Sequence, residues 1–586
     1  MTFFNYVALF GGVGMFLYGM SIMGSGLEKM VSGKTEKLLE RLTSSTWKGV
    51  LLGAGITGLI QSSAATTIIV IGLVNSGIMQ FKNAVGIIMG ANIGTTITGQ
   101  IIRLSDISAD NFWLLLLKPA TLAPIASIIG AIFFVFLKDV KKKNIGQILL
   151  GFGILFTGML SMEQAVVPLK TTPWFINLFT SLQNPILGVL AGIFVTVMIQ
   201  SSSASVGILQ ALTTTGLVTY SSAVPIIFGQ NIGTTVTGLL ASTGTSKNAR
   251  KVAFSHVYFN LIGTFAFMAI IYGVQMIHPW SFWHVTMNMG DIADFHTLFN
   301  VVTTLVFIPF SSILVKLAEW TVHQKGDQDE NVLLDTRLYN APGIAIDQAH
   351  QVIALMGSTS AEIFKDSVGL LQNYDEKIYR SCDEKEKNID SWEIDISNYL
   401  VGLTNLQLSP GEGRAVTRLL YYVGEFERIS DYADAIVESA KAREQKDISF
   451  TQEAKSELAV LGKACMYGIE LTLPLLNEQS KQTTIQVRAI NRVVKDMVEE
   501  LRERHVERLK AGKCTVEAGI LFLQILSDHQ HFVDHLANVA VRALSEYEEV
   551  NDIHTTIKNL YTQEGEQVLA WMGKFEKEYK LPKTSG

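Results

Sequence analysis

Two short runs place polar side chains inside otherwise apolar stretches. Residues 61–67 read QSSAATT and residues 200–206 read QSSSASV, 139 positions apart. At the same offset GANIGTTITG (90–99) matches GQNIGTTVTG (229–238), and Gly14, Gly19 and Met20 fall on Gly153, Gly158 and Met159. The candidate ligand residues are Gln61, Ser62, Ser63, Asn92, Thr95 and Thr96 in one copy. In the other they are Gln200, Ser201, Ser202, Ser203, Asn231, Thr234 and Thr235. Residues 186–246 hold no charged side chain and 49–102 hold only Lys82, which disfavours a carboxylate proton relay. A break in a helix offers different chemistry. Its new N-terminal end presents free N–H groups and about half a positive charge, enough to bind an oxyanion without a cationic side chain. The freed carbonyls, with Gln, Ser and Thr oxygens, form a neutral cage suited to a hard monovalent cation. Two such breaks facing each other would hold one oxyanion and several sodium ions, the chemistry of coupled anion–cation transport. The same Ser, Thr and Gly residues also serve close helix packing and back-bonding to their own chain.

The elements that must carry these residues follow from charge and hydropathy. The chain has 586 residues, 17% charged, with a mean hydropathy of +0.29, whereas soluble proteins carry about 25% charge. Residues 1–325 hold 18 Lys+Arg against 10 Asp+Glu, and residues 326–586 hold 29 against 43. An apolar front half therefore precedes a charged, acidic one. A span needs about 20 apolar residues, and crossings are expected near 5–27, 83–102, 112–137, 145–162, 222–241, 252–275 and 295–318. The first of these lacks the basic start and cleavage site of a signal peptide. The stretches 49–80 and 186–220 are too long for one helix and too short for two crossings, so each is expected to be a re-entrant hairpin with its QSS run at the turn.

Loop charge predicts how the copies are related. Loop 28–48 carries Lys29, Lys34, Lys37, Arg41 and Lys48, while its partner at 163–185 carries only Lys170. Loop 103–111 has one Arg and two Asp, while its partner at 242–251 has Lys247, Arg250 and Lys251. Basic residues prefer short cytoplasmic loops, so equivalent loops lie on opposite sides. We expect two inverted repeats, the N-terminus outside and the charged half in the cytoplasm, with HPWSFWH (278–284) as an outer interfacial belt. Lys82 is read as an interfacial anchor, and His256 and Asn260 as hydrogen-bonded packing residues.

The expected fold is all-α. A polytopic membrane domain covers 1–325, with repeat 1 at about 5–137, repeat 2 at about 145–275 and a final span at 295–318. A connector at 326–345 leads to a helical-bundle domain at 346–580, organised as three-helix units near 345–445 and 455–548 and a terminal helix to about 578. Cys382, Cys465 and Cys514 have no paired spacing, which fits a reducing compartment. In EFERISDYAD, Glu427 and Asp431 stand at i, i+4 with Asp434 one turn on; SDHQHFVDHLAN carries Asp528, His531, Asp534, His535 and Asn538. Such a face can hold a divalent or transition metal, with Glu427, Asp431, Asp434 and Asp534 as candidates, or serve an exposed helix laced with ion pairs through Arg428. No basic stripe suggests nucleic acid, and no P-loop, nucleophile elbow or catalytic cysteine context suggests an enzyme.

The doubled QSS run, each copy followed by NIGTT, resembles the type II sodium–phosphate cotransporter family over residues 1–320, above all its bacterial members with an added C-terminal domain. GEFERISDYAD (424–434) resembles the motif of PhoU-type domains. The resemblance implies that Gln61, Ser62, Ser63, Gln200, Ser201, Ser202 and Ser203 line phosphate and sodium sites, and that one bundle moves against the other. It implies sodium-coupled transport of inorganic phosphate across the plasma membrane, regulated by a cytoplasmic domain of a type that often binds metal. The implied partners are phosphate, sodium, the bilayer, and phosphate-signalling proteins or a second copy of the chain. Two departures stand out: Ala64 occupies the place of Ser203, and Gln530 replaces the motif's Glu in the second helical unit. The alternatives are a transporter of another small oxyanion, or a phosphate-sensing membrane receptor without turnover.

Overall fold

The computed structural model describes residues 2–31, 45–106, 118–322, 334–406, 408–478, 480–544 and 565–582. Much of loop 28–48, most of loop 103–111, residues 112–117 of the third expected span and residues 326–333 of the connector lie outside them. Among the described residues there is no strand, and the chain divides into two units, Met1–Ile344 and Ala345–Gly586.

The first unit holds α1 (Phe3–Val31), α2 (Thr46–Ile60), α3 (Ser63–Asn75), α4 (Phe81–Ile102), α5 (Pro119–Phe136) and α6 (Val140–Val166). It continues with α7 (Pro173–Ser181), α8 (Pro185–Ile199), α9 (Ser202–Leu212), α10 (Tyr220–Ala241), α11 (Lys247–Ile277), α12 (Met289–Phe307) and α13 (Ser311–Thr321). The sequence repeat reappears in the element boundaries. Helices α2 and α8 begin and end 139 residues apart, as do α4 and α10, and α3 and α9 begin 139 apart. Both hairpins expected at 49–80 and 186–220 are present as helix–turn–helix pairs.

Among the described residues seven helices are long and apolar enough to cross a membrane, six of them in this unit. The seventh, Gln452–Leu476, lies in the second unit. There Glu457, only 2% exposed, is paired with Arg508 at 2.7 Å, and the helix forms part of a bundle core. Two local expectations change. The stretch 295–318 is not one straight helix: α12 and α13 meet at 85°, because Pro309 cannot donate to the helical ladder and disfavours helix at Ile308. The loop at 163–185 contains α7, which meets α8 at 109°.

Glycine decides how closely the helices approach. A Cβ added at Gly90 would lie 2.0 Å from the Val50 carbonyl oxygen, and one at Gly229 would lie 2.0 Å from that of Val189. Gly53 and Gly192 stand in the same relation to Ile87 and Ile226, at 2.1 Å. Thus α2 on α4 and α8 on α10 are the same backbone-to-backbone contact made twice, of the kind that drives association inside membranes. Gly19, against Leu155 and Gly151, does the same for α1 on α6. The copies also interlock. A Cβ at Gly99 would meet Val206 at 3.7 Å, and one at Gly238 would meet Thr67 at 3.1 Å. These contacts exchange under the 139-residue offset, as a two-fold relation requires.

The second unit consists of α14 (Pro342–Gln372, in this unit from Ala345), α15 (Glu376–Thr404), α16 (Pro410–Gln445), α17 (Gln452–Thr472), α18 (Lys481–Lys510), α19 (Val516–Leu544) and α20 (Gly565–Glu578). Its core includes Phe364, Phe426, Phe522 and Phe532, with Phe364 stacked on Phe532 at 3.9 Å between ring centroids.

Candidate functional site

Each QSS run sits at the break between two helices, and each break has the same backbone. Gln61 has φ 60° and ψ 24°, and Gln200 has φ 58° and ψ 23°. With Asp447 they are the only non-glycine residues at positive φ among the described residues. A side chain in this left-handed region costs about 1–2 kcal/mol, and such strain concentrates at functional sites. The turn closes the first helix by donating the glutamine N–H to Thr57 or Thr196, both at 2.7 Å. It then opens the next: Ser62 Oγ accepts from Ala65 N at 3.1 Å and Ser201 Oγ from Ala204 N at 3.2 Å. The N–H groups of the two residues after each capping serine take no part in the helical ladder. Those of Ser63 and Ala64, and of Ser202 and Ser203, therefore point past a helix N-terminus, the geometry that receives an oxyanion. Ser63, Ser202 and Ser203 are buried, at 7%, 5% and 6% exposed.

The two tips differ in their side chains. Gln61 donates to the Gly58 carbonyl and accepts from Thr98 Oγ1 at 2.7 Å. The matching Thr237 donates instead to Thr234 O at 2.8 Å, and among the described residues the exposed Gln200 amide has no hydrogen-bond partner. To the Ala64/Ser203 inequality the structure adds a tethered glutamine in one copy and a free one in the other.

The second motif is buried and largely self-satisfied. Asn92 and Asn231 each donate to the carbonyl four residues back, at 2.9 Å. Thr95 and Thr234 do likewise at 2.9 Å, while Thr96 and Thr235 bond three residues back at 2.8 and 2.7 Å. Their donors are used by their own helices, but their oxygens keep lone pairs that suit a cation. From this motif region two residues outside the candidate set reach the QSS runs, Thr98 to Gln61 in one copy and Gln230 to Ser205 Oγ at 2.9 Å in the other, and among the described residues no hydrogen bond joins the two tips. Asn92 Oδ1 instead meets the fully buried His256 at Nε2, 3.4 Å away. Thr98 repeats as Thr237 just as Thr95 and Thr96 repeat, but spacing does not say which repeated threonine faces the glutamine turn.

In the second unit three carboxylates converge: Glu386 and Asp390 of α15 with Asp431 of α16, whose oxygens lie within 4.8 Å of one another. The two from α15 stand at i, i+4 like Glu427 and Asp431, but in a run dense with other charges (DEKEKNID) that reads as an ordinary solvated face. Burial, then Asp390 and Asp434, pushes Glu386 up to about 7. Burial and the neighbouring Glu438 raise Asp434 to about 6. Asp431 is raised by burial and Asp390, and Glu427 by burial and Asp431. A carboxylate-only donor set of this kind suits a hard divalent cation such as Mg²⁺ or Ca²⁺. Asp534 lies elsewhere, bonded to Lys495 at 2.6 Å and Asn491 at 2.9 Å, while His535 and Asn538 reach Glu425 at 2.9 and 3.1 Å. Because the folded state holds Glu386 near 7 against an ordinary 4.5, its contribution is most favourable below pH 4.5 and is lost as the pH rises through 7. Glu386→Gln is therefore expected to raise the melting temperature at pH 8 without divalent cations by about 2 °C, discounted for solvent screening. It should change little at pH 4, below the ordinary carboxylate value. Identical melting of variant and wild type at pH 8 would contradict this electrostatic picture.

The family model of the Na+/Pi-cotransporter matches residues 15–164 and 174–290, covering both repeats and both tips. The chain belongs to the Na+/Pi-cotransporter family. A PhoU domain matches 353–440, the first three-helix unit. "Uncharacterized protein YqeW" of Bacillus subtilis is 31% identical, covering 53% of this chain and 96% of its own. "Putative inorganic phosphate export protein YjbB" of Salmonella typhimurium is 22% identical over 92% of this chain and 97% of its own. "Sodium-dependent phosphate transport protein 2A" of Rattus norvegicus is 29% identical over 32% of this chain and 30% of its own. No solved structure matches at a significant level. The chain is thus a multi-pass membrane protein of a phosphate transporter family, joined to a PhoU-type helical domain.

Proposed function

We propose that this protein couples the movement of inorganic phosphate to sodium across the plasma membrane, with its PhoU-type unit regulating the flux. The observation that carries the reading is the pair of strained glutamine turns, each opening a capped helix N-terminus inside a charge-free stretch. Phosphate meets the N–H groups after Ser62 and Ser201, and sodium meets the neutral Gln, Ser and Thr oxygens. The reciprocal Gly99–Val206 and Gly238–Thr67 contacts, with the alternating Lys/Arg bias of matched loops, support inverted repeats and an outside N-terminus. Glu386, Asp390 and Asp431 hold a divalent cation that relieves their mutual repulsion.

The names of full-length relatives favour export as the physiological direction. A symporter runs down the sum of its gradients, so both directions belong in the test. Purified full-length protein in liposomes should accumulate radiolabelled phosphate under an inward Na⁺ gradient, and not with K⁺ or choline. Reversing the gradient should drive efflux. Phosphate binding without Na⁺-dependent flux in either direction would replace this reading with the receptor one, and absence of phosphate binding would turn attention to other oxyanions.

A further inference from the structure

Just before the helix that enters the second unit, the chain makes a short turn, Thr336–Asn340, that belongs to the first unit. Its contacts are too specific for a tether. Asp335, 3% exposed, accepts from Asn75 Nδ2 at 2.8 Å. Asn75 is the last residue of α3, the helix that starts at the Gln61 tip. The same amide accepts from Ser246 N at 2.7 Å, at the start of α11. Arg337 lies against Asp335 at 3.2 Å and donates to the carbonyls of Ala241 and Thr243, each at 2.9 Å. These carbonyls close α10, where the ladder ends and the dipole is negative. Leu338, fully buried, fills the space over Gly72, where an added Cβ would meet it at 2.8 Å.

From these contacts we infer that Asp335, Arg337 and Leu338 form a latch that positions the first hairpin and links its movement to the PhoU-type unit. Through Asn75 the latch fastens the far end of α3 in repeat 1 to the α10–α11 turn in repeat 2. Among the described residues the second hairpin shows no equivalent contact: Thr214, which matches Asn75, bonds Ala211 O in the last turn of α9 at 2.8 Å. One hairpin is thus restrained by the segment that leads to the second unit, and the other is not. Helix α14 starts at Pro342, directly after the latch, and from Ala345 belongs to the second unit, so a pull on α14 acts on the latch first. Removing the guanidinium withdraws Arg337 from the buried Asp335 carboxylate and from both α10 carbonyls, which loosens the latch. Lysine in its place is a single point charge and cannot hold both carbonyls in the same way.

The flux readout of this inference rests on the transport reading; a second readout does not. Full-length wild type, Arg337→Ala, Arg337→Lys and the milder Asp335→Asn would be compared in two measurements. Hydrogen exchange of peptides covering residues 68–78 should quicken about tenfold in Arg337→Ala, and less in Arg337→Lys and Asp335→Asn. In proteoliposomes the maximal Na⁺-driven phosphate flux should change about threefold or more in Arg337→Ala, with KM for phosphate within about twofold of wild type. Unchanged exchange at 68–78 overturns the latch whatever the substrate. Faster exchange with unchanged flux reduces it to a structural tie with no role in transport. If wild type itself moves no phosphate, the transport reading fails and hydrogen exchange alone decides whether the latch exists.

Discussion

Gln200→Gly is expected to abolish phosphate transport while leaving the protein about as stable as wild type. The two effects have separate origins. Gln200 occupies the left-handed region at φ 58°, and its exposed amide has no hydrogen-bond partner among the described residues. Glycine relieves about 1–2 kcal/mol of backbone strain and costs about 0.5–1 kcal/mol in unfolded-chain entropy, so stability should rise by no more than about 1.5 kcal/mol. Loss of the amide removes the proposed ligand group, which no described residue hydrogen-bonds. A drop of at least tenfold in Na⁺-driven uptake, worth about 1.4 kcal/mol, is the expected result. Gln61→Gly differs in sign. It breaks the bonds to Thr98 and the Gly58 carbonyl, and should lower stability as well as transport. Uptake by Gln200→Gly within twofold of wild type would remove the free glutamine from the site. Transport and thermal melting on the same preparations separate the cases.

Gly90→Ala and Gly229→Ala are expected to be the most damaging single-carbon additions in the membrane unit. Each new Cβ would lie 2.0 Å from a backbone carbonyl oxygen of the facing helix, and backbone cannot swing aside as a side-chain tip can. Either α2 must leave α4, or α8 must leave α10, which carries the hairpin tip away from the second motif. A cost of about 3 kcal/mol or more follows, the upper range for overpacking. The readout is a fall in melting temperature of roughly 5 °C or more, or loss of folded protein on size exclusion. Gly55→Ala on the same helix α2 is the control, since nothing lies within 4 Å of its added carbon. Wild-type melting of Gly90→Ala would mean that the close approach is not required. The leading glycine of each NIGTT block is therefore a packing residue, while the asparagine and threonines beside it keep oxygens available for an ion.

Features that repeat or follow a local period could be read from the residues alone. The 139-residue offset placed both hairpins and both QSS turns, because the same breaks in hydropathy recur in each copy. Helical periodicity and the 424–434 motif placed the second unit's three-helix layout in the same way. Single breaks were harder to weigh: Pro309 splits the expected 295–318 span into α12 and α13, although its hydropathy runs on without interruption. Which residues meet across the chain emerges from the packing of the helices. Thr98 pairs with Gln61, while its counterpart Thr237 turns back on its own helix. Glu386 and Asp390 join Asp431 from another helix, and Asp335 reaches Asn75 across 260 residues. The physical reason is common to all three. Periodicity records which face of a helix is apolar, but a pair of polar atoms is chosen by how helices cross and rotate, and the backbone approach at glycine sets that.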